Sequence, residues 1–241
     1  MTTDSGAGQR PILLAVAHGS RDPAAQRRIR ALARQTAELA PGIEVRAAFL
    51  ENAAPGLAGS LARAVADAGR SRVAIVPLLL APGYHLSEDI GQAADRAGVP
   101  AAAPLGPDVA LVPVLAGRLA AARVPAGTPV VLAAAGSRDP RAAEDTRLQA
   151  ALLSIRLRAP VMAAYVSAAR PTVAEAVDAL SAAADGPVAV ATYLLAPGLF
   201  HDQLLASAAA WVSEPLGDHP AIAALVLSRF RTCQTAAAMP A

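Results

Sequence analysis

Ala17-His18-Gly19-Ser20-Arg21-Asp22-Pro23 recurs as Ala134-Ala135-Gly136-Ser137-Arg138-Asp139-Pro140, with alanine in the second copy where the first has histidine. Three further landmarks keep the same order. Ala47-Ala48-Phe49-Leu50 with Pro55 matches Ala163-Ala164-Tyr165-Val166 with Pro171, Leu79-Leu80-Ala81-Pro82-Gly83 matches Leu194-Leu195-Ala196-Pro197-Gly198, and Pro104-Leu105-Gly106 matches Pro215-Leu216-Gly217. The offsets drift from 117 through 116 and 115 to 111 residues, as small loop deletions would make them. The chain therefore divides into two homologous lobes, 1–124 and 125–241, each long enough to close a modest core.

Each lobe alternates short apolar runs with longer amphipathic segments, the pattern of a parallel sheet flanked by helices. The first strand covers Ile12–Ala17 and breaks at His18-Gly19-Ser20, where Asp22 and Pro23 form an N-cap and first-turn pair for a helix reaching about Ala40. Strands follow at 43–50 and 73–80 with a short one near Val99, and helices at 55–68, 87–97 and 108–122. The second lobe repeats this with strands at 130–134, 161–166 and 188–195 and helices at 140–157, 171–184 and 201–212. Ala221–Arg231 reads as a last strand or helix, and Thr235–Ala241 as a loose tail. The fold class is α/β, two small parallel sheets with a cleft between them, and a monomer is the simplest expectation.

Composition removes several functions. All 21 cationic side chains are arginine, so there is neither a Schiff-base lysine nor the lysine of a phosphate-binding P-loop, and no nucleotide is expected to be consumed. Net charge is only +2 and the aromatic share 3%, which leaves no basic stripe or stacking platform for nucleic acid. The longest apolar stretch, Val73–Tyr84, is broken by Pro77, Pro82 and Gly83 and is too short to span a bilayer. The first ten residues lack the apolar core of a signal peptide, and Cys233 alone makes no internal disulfide. A cytoplasmic location is expected, away from membranes.

Ligands of open parallel sheets bind beyond the carboxyl ends of the strands, and three groups fall there together. His18 follows the first strand, Glu51 the second, and His85 lies just past the third. Taken singly, each has an ordinary alternative: a histidine bonded to its own turn, or a glutamate on a solvated surface. Their joint placement at three strand ends, and their replacement by Ala135, Ser167 and Phe200 in the second lobe, point instead to chemistry in the first. Two imidazoles and a carboxylate suit a divalent transition metal, and each also takes a proton near neutral pH. His201, one residue past the position matching His85, either faces the cleft or caps the following helix with Asp202; helix-start composition favours the cap. His219 reads as exposed, and Cys233 has no role.

These residues carry a family resemblance. The chain resembles the sirohydrochlorin chelatases of the long, two-lobe CbiX and SirB type, in the class II chelatase superfamily. The match rests on His18-Gly19-Ser20-Arg21, on Phe49-Leu50-Glu51, and on Pro77 to His85 leading into Asp89-Ile90, with support from Pro104-Leu105-Gly106-Pro107. It implies that His18, Glu51 and His85 handle the metal, that the substrate is sirohydrochlorin, and that cobalt or iron is inserted for cobalamin or sirohaem synthesis. Ser20, Arg21, Gly83, Tyr84, Ser137 and Arg138 are expected to contact the tetrapyrrole, whose carboxylates suit backbone N–H groups at the helix starts after Asp22 and Asp139 and arginines beside them.

The chemistry agrees with that implication. Metal insertion needs a ligand that releases its ion and a base that removes two pyrrole protons, and an open site with two imidazoles and a carboxylate donates better than a closed four-ligand site. Two rival classes stand beside it. A non-catalytic metal or tetrapyrrole carrier would need the same cleft without turnover. A phosphate-handling enzyme of the histidine phosphatase kind would place arginine before the histidine, where this chain has Ala17.

Overall fold

Strand β1, Ile12–Ala17, is buried along its whole length, so both its faces need cover and it takes a central place. The computed structural model describes residues 10–81 and 83–238, the side chains of 84–87 and 238 excepted. β1 is flanked in parallel by β2 (Glu44–Phe49) and β3 (Val73–Pro77), Val16 lying opposite both Ala48 and Pro77. The order β2-β1-β3 means that the chain leaves β1 to one side and returns to the other. The carboxyl end of β1 is therefore the topological switch point, the place where such sheets bind ligands. The second half repeats the arrangement as β5-β4-β6, from β4 (Val130–Ala134), β5 (Val161–Tyr165) and β6 (Ala189–Tyr193).

The repeated Asp-Pro pairs start helices as their chemistry dictates. Asp22 accepts a hydrogen bond from the Ala24 N–H at 2.8 Å and opens α1 (Pro23–Glu38); Asp139 accepts from Arg141 N–H at 3.0 Å and opens α5 (Pro140–Leu157). Helices α2 (Leu57–Ala68), α3 (Tyr84–Ala97) and α4 (Leu111–Ala121) complete the first half, and α6 (Val173–Ala184), α7 (Leu199–Leu205) and α8 (Pro220–Ala238) the second. No helix of the described residues is long and apolar enough to cross a membrane.

Most bounds shift by up to three residues, and three elements differ more from the sequence expectation. The strand near Val99 is a single bridge between Ile75 and Ala101. The helix expected to run to Val212 stops at Leu205, and Trp211–Val212 instead forms β7 beside β6. The run Ala206-Ser207-Ala208-Ala209-Ala210 supplies no large apolar residue to hold a helical face, whereas the β6 edge offers partners: Ala210 N–H donates to Val188 O and Ser213 N–H to Val190 O. The last segment is one long helix that continues through part of the expected tail, because Ile222, Leu225, Val226 and Phe230 recur at helical spacing and are all buried. Each such side chain contributes about 1.5–3 kcal/mol on burial.

The two closing helices trade partners. Helix α4 lies against α5 and β6 of the second half, and α8 against α1 and β3 of the first. A single core therefore runs from Leu13 and Leu32 through Leu115 and Leu132 to Val226 and Phe230, with smaller separate clusters on the outer faces of the two sheets. Each exchanged helix is pinned by an arginine. Arg118 of α4 donates to Leu216 O at 2.8 Å, and Arg229 of α8 donates to Leu105 O at 3.1 Å and to Asp108 at 2.9 Å. The repeated Pro-Leu-Gly segments are thus docking points for the helix of the opposite half.

Candidate active site

The loop after β1 is shaped by close approach to the end of β2. Gly19 has φ +104, and a Cβ there would sit 1.7 Å from the Glu51 carbonyl oxygen, so a glycine is obligatory. The two segments are joined by backbone: Leu50 N–H donates to Ala17 O at 3.0 Å and Glu51 N–H to His18 O at 2.9 Å. That contact brings the side chains together, His18 Nε2 lying 3.2 Å from Glu51 Oε1 with the two groups 50% and 58% exposed. So open an ion pair adds little to stability. Among the described residues the second Glu51 oxygen and the second His18 ring nitrogen make no hydrogen bond, which leaves them to an ion or a proton.

The second half keeps the scaffold without the histidine–glutamate pair. Gly136 has φ +95, its would-be Cβ lies 1.8 Å from Ser167 O, and Ser167 N–H donates to Ala135 O at 2.9 Å. Where Glu51 reaches His18, the Ser167 hydroxyl folds back to donate to Ala135 O at 3.0 Å.

Between the carboxyl ends of the two sheets lies a cavity of about 240 Å³, walled by Leu78, Leu79, Leu80, Leu194 and Leu195 with Tyr165 and Tyr193, and reached by His18, Gly83, Ala135 and Ser137. A second cavity of about 600 Å³ shares His18, Leu78, Ala135, Leu194 and Leu195 and extends over Ser20, Arg21, Asn52, Gly198, Phe200 and His201. That volume is in the range of small-molecule sites, roughly 300–1,000 Å³. The apolar walls suit a flat hydrophobic ring. Tyr193 ties the halves together by donating to Leu80 O at 2.9 Å, and burial pushes its hydroxyl far above the usual tyrosine range, so it serves as a wall and not as an acid.

The expected contacts are placed unevenly. Ser20 and Ser137 line the cavities while each hydroxyl oxygen accepts from a backbone N–H, that of Asp22 or Asp139, at 3.1 Å; the hydroxyl proton of each is left to donate. Arg21 lines the larger cavity, whereas Arg138 is exposed and lines neither. The helix starts are not open anion sites. Their own aspartates occupy them, and Arg141, bonded to Asp139 at 2.9 Å, holds that carboxyl below the usual range. Gly83 precedes α3 and lines the smaller cavity, which puts the backbone of Tyr84 and His85 in the next turn; the side chains of both lie outside the described residues. Among the described residues no three His, Cys, Asp or Glu side chains form a metal cluster, so the pair His18–Glu51 is what is on view.

His201 departs from its expected role. Gly198 caps α7 without a side-chain bond, and His201 lies inside the first turn, 4% exposed, on the wall of the larger cavity. Asn52, at φ +56, also lines that cavity and was not anticipated; its place directly after Glu51 was the available signal. His219 is exposed and accepts at Nδ1 from Ala221 N–H at 3.1 Å, at the start of α8, and burial raises the Cys233 thiol.

Comparison with known proteins fits this geometry. The CbiX family matches residues 12–122 and again 129–233. The chain is 36% identical over 78 residues to a sirohydrochlorin cobaltochelatase of Methanosarcina acetivorans, a stretch that is 32% of this chain and 59% of that protein, and 35% identical over 78 residues to the same enzyme of Methanosarcina barkeri. The chain thus spans 59% of the length of these curated relatives. Among solved structures, SirB from Bacillus subtilis with Fe3+ superposes at a TM-score of 0.79 with 25% identity, covering 95% of this chain and 97% of SirB. The sirohydrochlorin chelatase SirB of Bacillus subtilis subspecies spizizenii in complex with cobalt has the same fold at a TM-score of 0.76 and 23% identity, covering 94% and 96% of the two chains.

Proposed function

As the chain belongs to the CbiX family, we propose that it inserts a divalent metal, cobalt or iron, into sirohydrochlorin without ATP, in cobalamin or sirohaem biosynthesis. The observation that carries this reading is the His18–Glu51 pair, 3.2 Å apart and open to solvent, at the lip of an apolar cavity between two sheets. His18, Glu51 and, by its place in the turn after Gly83, His85 are the proposed metal-handling set. Three donors without a fourth hold an ion exchangeably, as a donor of metal must.

Two pyrrole protons leave for each divalent ion that enters. Glu51 takes one as the ion passes from the imidazoles to the ring nitrogens, and its exposure lets it return the proton to water. His18, freed of the ion, takes the other. The leucine walls from both halves hold the macrocycle's faces, and the hydroxyls of Ser20 and Ser137 with Arg21 meet its acidic substituents. The absence of lysine fits chemistry driven by ligand exchange and not by a nucleotide.

The test is anaerobic metallation of sirohydrochlorin by the purified chain, followed by absorbance with Co2+ and with Fe2+ in excess. Many turnovers per chain above the uncatalysed rate are expected with at least one of them. Binding of one equivalent of metal or tetrapyrrole without turnover would make the chain a carrier.

A further inference from the structure

His201 is buried to 4% exposure, and its Nε2 has no hydrogen-bond partner among the described residues. Buried polar atoms are nearly always paired, and His201 is the orphan histidine whose residue also lines a cavity, which makes its Nε2 the natural partner for a ligand atom. The helix that carries it reaches the other half of the molecule: a Cβ on Gly198, at the start of α7, would lie 3.9 Å from Asp22 Oδ2 and 4.0 Å from Ser20 Oγ. The larger cavity therefore has one wall from the loop after β1 and one from α7, with His201 on the second. The polar groups around this space choose the ligand's charge. Arg21, Ser20 and Asn52 line it and offer hydrogen-bond donors, Gln26 lines it with its amide N–H already given to Ser20 O at 2.8 Å, and the one carboxylate, Asp22, accepts through Oδ1 from the Ala24 N–H at 2.8 Å. The guanidinium of Arg21 on the same cavity repels a cation, which argues against a second metal site. It favours an anion.

We propose that His201 holds a carboxylate of the tetrapyrrole, its Nε2–H donating to an acidic substituent of the macrocycle while His18 and Glu51 work at the ring centre. This rests on sirohydrochlorin being the substrate. The second half then does more than wall the cleft: it anchors the rim of the ring while the His18–Glu51 pair works at its centre, and His201 is a substrate-binding residue.

The test compares His201→Leu and His201→Gln by anaerobic absorbance titration with sirohydrochlorin and with its methyl ester, and by thermal melting. In His201→Leu the dissociation constant for sirohydrochlorin is expected to rise roughly tenfold, the scale of a lost hydrogen bond to a charged group. The loss falls on affinity and not on the rate at saturation. His201→Gln, whose amide can donate from a similar place, should recover most of the affinity, and the ester, with no carboxylate to hold, should bind all three proteins alike. Removal of an unpaired buried polar atom predicts a melting temperature for His201→Leu equal to or above that of the parent. Unchanged affinity for sirohydrochlorin in His201→Leu overturns the proposal, as does an equal loss for the acid and the ester. A parent protein that binds no sirohydrochlorin overturns the functional reading itself, whereas a parent that binds it as tightly as both variants overturns only the role of His201.

Discussion

The loop after β1 and the loop after β4 are built on one plan and differ in what they carry. Each has a glycine at positive φ whose missing side chain admits the next strand's carbonyl, and each ties the two strands with an N–H to O bond of 2.9 Å. On that plan the first half sets a histidine against a glutamate, and the second sets an alanine against a serine that bonds back to the loop. The scaffold needs the glycine and the backbone bonds; the proposed chemistry needs only the side chains. Stability and activity at this edge are therefore separable, and substitutions can test the separation from either side.

The glycines should show the largest effect. Gly19→Ala and Gly136→Ala each force a Cβ to within 1.8 Å of a backbone oxygen that has no room to retreat. Each is expected to cost about 3 kcal/mol or more, or to prevent folding, as measured by urea denaturation. Similar losses at the two sites would show that the scaffold is shared. A harmless Gly136→Ala would mean that the second loop no longer needs its shape.

His18→Ala should do the reverse. The pair it breaks is half exposed, so the loss of stability is expected to stay under about 1 kcal/mol. Metallation should fall roughly a hundredfold, the lower end of what a positioned acid–base group contributes. A near-normal rate would move the chemistry away from this loop.

How much of this could be read from the chain depends on which physical signal each part leaves. Ile12–Ala17 and Val130–Ala134 announced themselves as buried strands because an apolar run ends in a glycine turn and an Asp-Pro cap, and all of those are local signals. The end of α7 was not legible, since Ala206–Ala210 carries neither helical nor strand period and the choice was made by the open edge of β6. Nor was the exchange of α4 and α8: an apolar helix face states that it will be covered, not by which sheet. In the site, His18 and Glu51 were legible because parallel strands deliver their ends to one edge. His201 beside Asp202 after Pro197-Gly198 has the composition of a cap, and only the burial of the side chain and its unpaired nitrogen show otherwise. The helix starts after Asp22 and Asp139 likewise read both as capped and as open to an anion, and the carboxylates of the caps leave only the first reading.

Glu51→Gln sharpens the comparison within the first half. The amide keeps the shape of the carboxylate and its reach toward His18, yet takes no proton and brings no charge to the ion. Stopped-flow absorbance should show the chelation step slowed roughly tenfold to a hundredfold, with tetrapyrrole binding changed by less than about threefold. A loss shared equally by binding and rate would make Glu51 an anchor for the substrate, and the base would have to be sought elsewhere at the lip.

The smallest effect is expected where the missing histidine is put back. Ala135 lines the same cavities as His18, so Ala135→His places an imidazole at the equivalent loop of the second half, on a backbone held by the same bonds. One imidazole falls short of the three-group set proposed for the first half. Ser167 stands in place of the carboxylate and has turned its hydroxyl onto Ala135 O at 3.0 Å, and Phe200 stands where the first half has His85. The substitution should leave the number of metal ions bound per chain unchanged by anaerobic titration and the metallation rate within about twofold, since a single weak donor competes poorly with a set of three. Should Ala135→His rescue His18→Ala, the imidazole would be shown to act from either side of the cleft, and the asymmetry of the two halves would concern where the histidine sits, not what accompanies it.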